Sequence, residues 1–507
     1  MKNILYAILS GVMLTASFPP ARLDWMAWAA IIPLLISIED KRPLNAFRLG
    51  MIAGLSHYLT LIYWVLFVMN AYGGIDLFTG SSILLLFALY LALYPATFSL
   101  LVSIARNSRF VVILTASIWV CLEYLRTILI TGFPWCLLGY SQFNRLAIIQ
   151  VSDITGVYGV SFIIAAVNAL IYRIVFSSTH AQEKRGLVME SSIIIALFII
   201  CSAYGIYSIS GTVDDKGRET ITASVIQGNI DQSVKWDPAY MEATIERYVS
   251  LSKSTFDSHP GLIIWPESAA PFFFQENTEY SENIRDLAEE SSAWLIFGCP
   301  AYEEQGSVIS YFNRVCMISP EGVLAAYYDK VHLVPFGEYV PLKRFIPFVD
   351  RLVISEGEFS RGRESGLLKM NGIKAGALIC YEAIFPGPAR TELKNGARFF
   401  VNVTNDAWFG MTSAPWQHLC MCVFRAIENR RPFIRAANTG FSAFIDSLGR
   451  ITARSGLFTE EVLTGEVRTD CKEITFYSRY GDIFVYLAVI ICLIKFLHEL
   501  CYHLIKK

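Results

Sequence analysis

Three residues have the types and positions that acyl-transfer chemistry needs: Cys380, Glu267 and Lys330. Each sits just past a short apolar run that reads as a buried strand. Leu262-Ile263-Ile264-Trp265-Pro266-Glu267 ends in a carboxylate. Tyr327-Tyr328-Asp329-Lys330 ends in an ammonium. Ala377-Leu378-Ile379-Cys380-Tyr381-Glu382 brings in a thiol where a helix begins. Sites in α/β sheets gather at such carboxyl ends. A thiolate is a strong nucleophile, and a nearby cation or helix N-terminus favours it. A carboxylate can take the thiol proton and hand it to a leaving group. A lysine can stabilise the oxyanion of a tetrahedral intermediate. Taken singly, the three have ordinary roles as core filler, helix cap and surface charge, but together, with their flanks, they point to catalysis. A Cys–His pair using His332 or His418 is a further reading, and it leaves Glu267 and Lys330 without a role.

The elements that must position these groups are legible around them. Strands are expected at Thr220–Gln227, Leu262–Trp265, Trp294–Gly298, 307–318, 322–329, 374–380, 397–403, 433–437 and 440–446. Helices are expected at Pro238–Ser254, Glu279–Glu290 and about 416–430. Residues 218–468 therefore read as one α/β domain with mixed sheets.

The rest of the chain is of another kind. Of its 507 residues 54% are hydrophobic and 17% charged, with a mean hydropathy of +0.44. That excludes a disordered chain, a collagen-like fibre or a disulfide-stapled module, and it indicates a membrane protein. Charge is uneven: 12 basic and 8 acidic side chains fall in residues 1–211, against 25 and 33 in residues 212–470. Apolar runs lie at roughly 3–19, 25–38, 50–70, 81–104, 110–130, 157–176 and 192–210, with an eighth at about 481–498. A bilayer core of roughly 30 Å needs about 20 helical residues, so the first two runs are short. The domains expected are a membrane domain of seven helices over 1–211, the α/β domain, and a C-terminal helix with a short tail over 478–507.

The loops set an orientation. Lys41, Arg42 and Arg48, then Arg106 and Arg109, then Arg173, Lys184 and Arg185, and finally Lys506 and Lys507 fall on one side if eight spans leave both termini cytoplasmic. The α/β domain is then extracytoplasmic. Glu123 and Arg126 share a helix face. The aromatic loop Thr131-Gly132-Phe133-Pro134-Trp135 that follows reads either as a lipid-binding rim or as an interfacial belt. The eleven cysteines, irregularly spaced and without a C-x-x-C, suggest neither a disulfide framework nor a metal site. No basic stripe points to nucleic acid. A transporter with an accessory domain is a competing class; the spans hold few ionisable groups, and His57 reads as a hydrogen-bonded core histidine.

At residue level the α/β domain resembles the nitrilase, or carbon–nitrogen hydrolase, superfamily. The resemblance rests on Trp265-Pro266-Glu267, Lys330, Cys380-Tyr381-Glu382 and Asn402–Gly410. The whole chain resembles a narrower family, the apolipoprotein N-acyltransferases, through Glu123–Arg126, Gly132–Trp135, Gly156–Val160, Gln227-Gly228-Asn229 and Leu333–Pro341.

The resemblance implies a fold and a reaction. The fold is a polytopic α-helical membrane domain with an extracytoplasmic α-β-β-α sandwich. The enzyme implied sits in the inner membrane and works without metal or cofactor. Cys380 takes an acyl chain from a phospholipid, with phosphatidylethanolamine the expected donor, as a thioester. It passes the chain to the N-terminal amine of a diacylglyceryl-cysteine apolipoprotein. Glu267 is implied as base and acid, and Lys330 as oxyanion stabiliser helped by the Tyr381 N–H. Glu338 and Glu382 are implied as orienting groups, and Trp236, Tyr381, Trp408 and Asn405 as substrate contacts. The aromatic segment 337–360 reads as a lid or as a packed loop. The alternative activity is a membrane-tethered amidase that releases the acyl group to water.

Overall fold

The computed structural model describes residues 1–176, 184–210, 219–339, 358–363 and 365–505. They form two compact units, one of Met1–Phe67, Ile75–Val213 and Arg479–Lys507, the other of Val68–Gly74 and Asp214–Ser478.

The first unit is helical: α1 Lys2–Ala16, α2 Ile32–Ile38, α3 Pro43–Leu61, α4 Trp64–Ala71 (its last residues in the second unit), α5 Leu77–Ala105, α6 Val111–Ile128, α7 Val157–Val175, α8 Lys184–Ser210 and, near the chain end, Ile483–Ile505. Among the described residues, four helices are long and apolar enough to cross a membrane: α5, α6, α7 and Gly186–Ser210. The pair α3 and α4, bent by 50°, makes a fifth if it is one span. The remaining expected runs are shorter apolar helices, Lys2–Ala16, Asp24–Ile38 and Ile483–His498. At 1.5 Å per residue, α1 reaches only about 22 Å.

Glu123 and Arg126 on α6 are both buried. Glu123 Oε1 accepts from the Leu138 N–H at 2.7 Å and from Trp119 Nε1 at 3.0 Å, and Arg126 Nη1 donates to the Trp135 carbonyl at 3.2 Å. These bonds draw the following loop inward. Trp135 packs on Trp64 at 4.9 Å and is 1% exposed, so this ring is interior, while Thr131 is exposed and Phe133 half-buried. His57 is buried with its Nδ1 2.9 Å from Thr15 Oγ1, a core histidine as expected.

The second unit holds two six-stranded sheets. The strands are β1 Thr220–Gln227, β2 Leu262–Ile264, β3 Trp294–Gln305, β4 Val308–Ile318, β5 Leu324–Asp329, β6 Leu367–Met370, β7 Ile373–Ile379, β8 Phe399–Thr404, β9 Phe433–Ala437, β10 Ala443–Ile445, β11 Ile451–Arg454 and β12 Glu461–Arg468. One sheet is ordered β12-β1-β2-β3-β4-β5, the other β11-β10-β9-β8-β7-β6. Each sheet holds a parallel trio, β1-β2-β3 and β7-β8-β9, and in the first sheet the antiparallel β4 and β5 follow it.

Burial on both faces explains the unbroken apolar runs. Leu262 and Ile264 point into the core shared by the two sheets, with Val225, Ile296, Ile379 and Val401. Ile263 and Trp265 point outward, against Ile245 and Tyr248 of the helix Met241–Lys253 and Ile284 and Leu287 of the helix Glu279–Ser291. Helices Pro386–Lys394 and Ala414–Asn429 pack on the second sheet. The layers are therefore α-β-β-α. The expected lid residues Phe345, Phe348 and 352–354 lie outside the described residues.

Candidate active site

Glu267 follows β2, where Pro266 cannot continue the ladder. The neighbouring Trp265 is pinned in the outer layer, stacked on Tyr248 at 5.1 Å and donating its Nε1–H to Ser252 Oγ at 2.8 Å. Strand β3 runs very close behind: a Cβ at Gly298 would lie 2.5 Å from Ser268 N and 2.7 Å from Glu267 Cα. The carboxylate is held at both oxygens. Oε1 accepts from Asn313 Nδ2 at 2.8 Å, and Oε2 from the Asn405 backbone N–H at 2.8 Å. Behind it the Lys235 ammonium, 1% exposed, donates to the Glu267 carbonyl at 3.0 Å. Burial, partly offset by the Glu267 charge, lowers the Lys235 pKa to about 8.

Lys330 lies one residue beyond β5. Its N–H donates to the Asn313 carbonyl at 2.9 Å, so β4 supplies both its backbone anchor and a ligand for Glu267. Just before it, Arg314 grips Asp329 with two bonds of 2.6 and 2.8 Å. The Lys330 ammonium is 1% exposed, 2.8 Å from Glu338 Oε1 and 3.6 Å from Glu267 Oε1. Burial opposes its charge. The two carboxylates more than offset burial and hold its pKa above the ordinary lysine value. Glu338 is itself fixed, by Asn313 Nδ2 at 3.0 Å and the Val334 N–H at 2.8 Å.

Cys380 opens the 3-10 turn Cys380–Ile384 at the end of β7 with φ of +49°. A left-handed backbone costs a residue with a Cβ about 1 kcal/mol, so the surroundings must enforce it. Glu382 clamps two strand ends together. Its Oε2 accepts from the Ile379 N–H at 2.8 Å, and its Oε1 from Tyr328 Oη at 2.8 Å and from the Val331 and His332 N–H groups at 2.8 and 2.9 Å. The thiol and the ammonium are thus tied through one carboxylate. Burial, then the Glu267 charge, pushes the Cys380 pKa above the ordinary thiol value, with Lys330 pulling partly against them. The resting thiol is therefore protonated at neutral pH and needs a base.

The histidines are otherwise engaged. His418 Nε2 lies 3.2 Å from the Cys380 carbonyl oxygen, and its Nδ1 is turned to Arg435 and Asp406. The His332 ring packs on Phe385 at 3.8 Å. Neither placement makes a Cys–His base. Among the remaining expected residues, Trp236 is 46% exposed, and Trp408 meets Tyr72 edge-on at 5.1 Å. Tyr381 is buried against Phe385. The Asn405 side chain is buried, its Nδ2 donating to Gln232 Oε1 at 2.7 Å and its Oδ1 accepting from Asn438 Nδ2 at 3.1 Å.

Asn313, Lys235 and Arg435 were not singled out from the sequence, and Asn402 entered only as the start of the stretch Asn402–Gly410. For Asn313, Asn402 and Arg435 the one signal is a polar residue in an apolar strand, as in Phe312-Asn313-Arg314-Val315 and Val401-Asn402-Val403, while Lys235 lies in a turn and gives no such signal. Among the described residues, no group of three or more His, Cys, Asp or Glu side chains is arranged to hold a metal ion.

The site is thus a buried carboxylate–ammonium pair beside a half-buried thiol, drawn from both sheets, in a chain with membrane-length apolar helices. Comparison with known proteins agrees with both halves. Residues 10–170 match the model of the apolipoprotein N-acyltransferase N-terminal domain, and residues 222–475 that of the carbon–nitrogen hydrolases. An apolipoprotein N-acyltransferase of Geobacter metallireducens is 42% identical over 96% of this chain and 93% of its own. Those of Methylococcus capsulatus and Chlorobaculum tepidum are 33% and 32% identical, each over 95% of this chain and 93% of their own. With two family models covering most of its length and relatives matched nearly end to end, the chain belongs to the apolipoprotein N-acyltransferase family.

Proposed function

We propose that this membrane protein moves a fatty acyl chain from a phospholipid, through a thioester on Cys380, to the N-terminal amine of a diacylglyceryl-cysteine apolipoprotein. The observation that carries the reading is the buried Lys330 ammonium held between two carboxylates, 3.6 Å from Glu267 and 2.8 Å from Glu338, with the half-buried Cys380 thiol close enough to feel the charges of Lys330 and Glu267.

In the first step Glu267 takes the thiol proton as sulfur attacks the ester carbonyl. Lys330 stabilises the oxyanion. The ester C–O bond breaks, and Glu267 returns the proton to the departing alkoxide, leaving a lysophospholipid and the thioester. In the second step the acceptor amine attacks and gives its proton to Glu267. The C–S bond breaks, and the thiolate is reprotonated as the amide forms. Glu338 keeps Lys330 charged and aimed, and Glu382 holds the ends of β5 and β7 in register. Asn405 acts through its backbone N–H on Glu267, and Trp236, Tyr381 and Trp408 border the substrates.

Phosphatidylethanolamine is the proposed donor. The proposed topology has both termini cytoplasmic, the membrane domain over 1–211, the catalytic domain over 218–468 on the periplasmic side of the inner membrane, and the last helix over 478–507. Basic loops on one side support it. Each buried CH₂ is worth about 0.8 kcal/mol, so extracting either lipid into water is costly. A catalytic domain tethered by apolar helices on both flanks avoids that step.

The test is intact-protein mass measurement after incubation with phosphatidylethanolamine vesicles. An acyl adduct is expected on the parent and on neither Cys380→Ala nor Glu267→Gln. A diacylated lipopeptide should then discharge it as an amide. Discharge to free fatty acid at the same rate with or without lipopeptide would instead mean a hydrolase.

A further inference from the structure

Beneath Cys380 lies a buried polar cluster that the proposed chemistry does not use. Asp406, His418 and Arg435 are all 1% exposed or less. Arg435 Nη2 donates to Asp406 Oδ2 at 2.7 Å and approaches His418 Nδ1 at 3.0 Å, while its Nη1 donates to Asn402 Oδ1 at 2.7 Å. His418 Nε2 lies 3.2 Å from the Cys380 carbonyl oxygen, and Asn402 Nδ2 donates to the Leu378 carbonyl at 3.1 Å and to the Cys380 carbonyl at 3.4 Å.

Nδ1 faces two groups with opposite demands, the acceptor Asp406 Oδ1 at 3.3 Å and the donor Arg435 Nη2 at 3.0 Å, and the shorter contact together with the Cys380 carbonyl assigns the imidazole proton. A guanidinium only donates, so the Nδ1 facing Arg435 must offer its lone pair. A carbonyl only accepts, so the Nε2 facing Cys380 must carry the hydrogen. Burial, then the Arg435 charge, lowers the His418 pKa and keeps the ring neutral. Burial opposes the Asp406 charge, but the Arg435 guanidinium beside it holds the carboxyl below its ordinary value. Its Oδ1 accepts from Thr404 Oγ1 at 3.1 Å. The cluster has no slack behind it: a Cβ at Gly440 would meet Asp406 Oδ2 at 2.3 Å.

We infer that Asp406, Arg435 and His418 form a positioning relay for the nucleophile. The carboxylate holds the guanidinium, the guanidinium fixes the imidazole tautomer, and the imidazole Nε2–H, with Asn402, grips the Cys380 carbonyl and keeps that residue in its left-handed turn. None of these side chains needs to touch substrate. The relay acts on a backbone angle that sterics oppose at the nucleophile itself, +49° at a residue with a Cβ. The inference rests on Cys380 being the nucleophile.

The test uses the full chain in detergent with phosphatidylethanolamine. It reads the rate of acyl-enzyme formation at saturating donor, the half-saturating donor concentration, the pH profile, and Cys380 alkylation by iodoacetamide. His418→Leu removes the donor and keeps the bulk. It should slow both acylation and alkylation by about a hundredfold, the scale of a misplaced reacting group, with half-saturation and pH midpoint unchanged. His418→Gln restores an N–H and should recover to within about tenfold of the parent. Gly440→Ala, which presses on Asp406 from outside the relay, should give the same signature more weakly, and it serves if the His418 variants do not fold. Parent-like rates in His418→Leu or Gly440→Ala would overturn the relay, as would His418→Gln no better than Leu. A shifted pH midpoint would overturn it too, by making His418 a proton carrier. An adduct on Cys380→Ala would instead overturn the nucleophile assignment itself.

Discussion

Gly298→Ala is the sharpest perturbation of the proposed base that leaves every polar group in place. The added Cβ would sit 2.5 Å from Ser268 N, 2.7 Å from Glu267 Cα and 2.9 Å from the Pro266 oxygen, where ordinary contact begins at 3.4 Å. All three are backbone atoms, so no rotamer change relieves the clash. The segment carrying Glu267 must move by roughly 0.9 Å. The carboxylate bonds to Asn313 Nδ2 and the Asn405 N–H, both 2.8 Å, then stretch beyond the roughly 3.2 Å at which such bonds weaken. Overpacking should cost about 1–3 kcal/mol of stability. A misplacement of this size should slow acyl-enzyme formation by about a hundredfold. Rapid-quench mass measurement of the adduct reads the rate, and thermal melting reads the fold. Gly387→Ala is the control: nothing lies within 4 Å of its added Cβ, so melting should hold or rise slightly and the rate should stay parent-like. A folded Gly298→Ala that acylates at the parent rate would show that the β2–β3 contact does not set the position of the base.

Other perturbations address the charges around the site. Glu338→Gln keeps an acceptor for Lys330 but removes the charge that offsets its burial, so acylation should slow about tenfold, the difference between a charged and a neutral hydrogen bond; an unchanged rate would remove Glu338 from the site. Lys235 has a folded pKa lowered by burial to about 8 from the ordinary lysine value of 10.5, so its charge opposes folding at neutral pH and the penalty lifts as pH rises from 8 to 10.5. Denaturation of Lys235→Met should show the variant's stability relative to the parent falling by about 3 kcal/mol across that window, and a flat difference would contradict the buried charge. The Cys380 thiol is shifted the other way, upward. Its contribution is present below the ordinary thiol value near 8.5 and is lost as pH climbs above it. Cys380→Ala should therefore melt with a weaker alkaline decline than the parent, and an identical decline would argue against the raised thiol.

Much of the sheet was legible because its strands are buried on both faces and read as apolar runs. The expectations at 220–227 and 433–437 coincide with β1 and β9. The strands not read from the sequence, β6, β11 and β12, all lie at sheet edges. There one flank is unpaired, and the half-exposed faces of β11 and β12 dilute the apolar signal. The burial of Trp135 in the aromatic loop at 131–135 was not legible for a related reason. Composition cannot tell an interfacial ring from one pulled inward, and it is the Glu123 and Arg126 bonds that bury Trp135.

The candidate site divides along the same line. Glu267, Lys330 and Cys380 could be picked out because each follows its own strand, and a strand with its terminus is a local pattern. Their partners are not local. Asn313 lies 46 residues from Glu267, Asn405 lies 138 away, and His418 reaches Cys380 across 38. Asn313 comes from β4, two strands along the same sheet, His418 from the helix Ala414–Asn429 packed on the second sheet, and Asn405 from the end of β8 in the other sheet, so each pair waits on the tertiary fold. The sequence by itself determined which residue types stand at the strand ends. The tertiary structure decided which hydrogen bonds hold them, because a buried polar group must find its partner among whichever strands packing has made its neighbours.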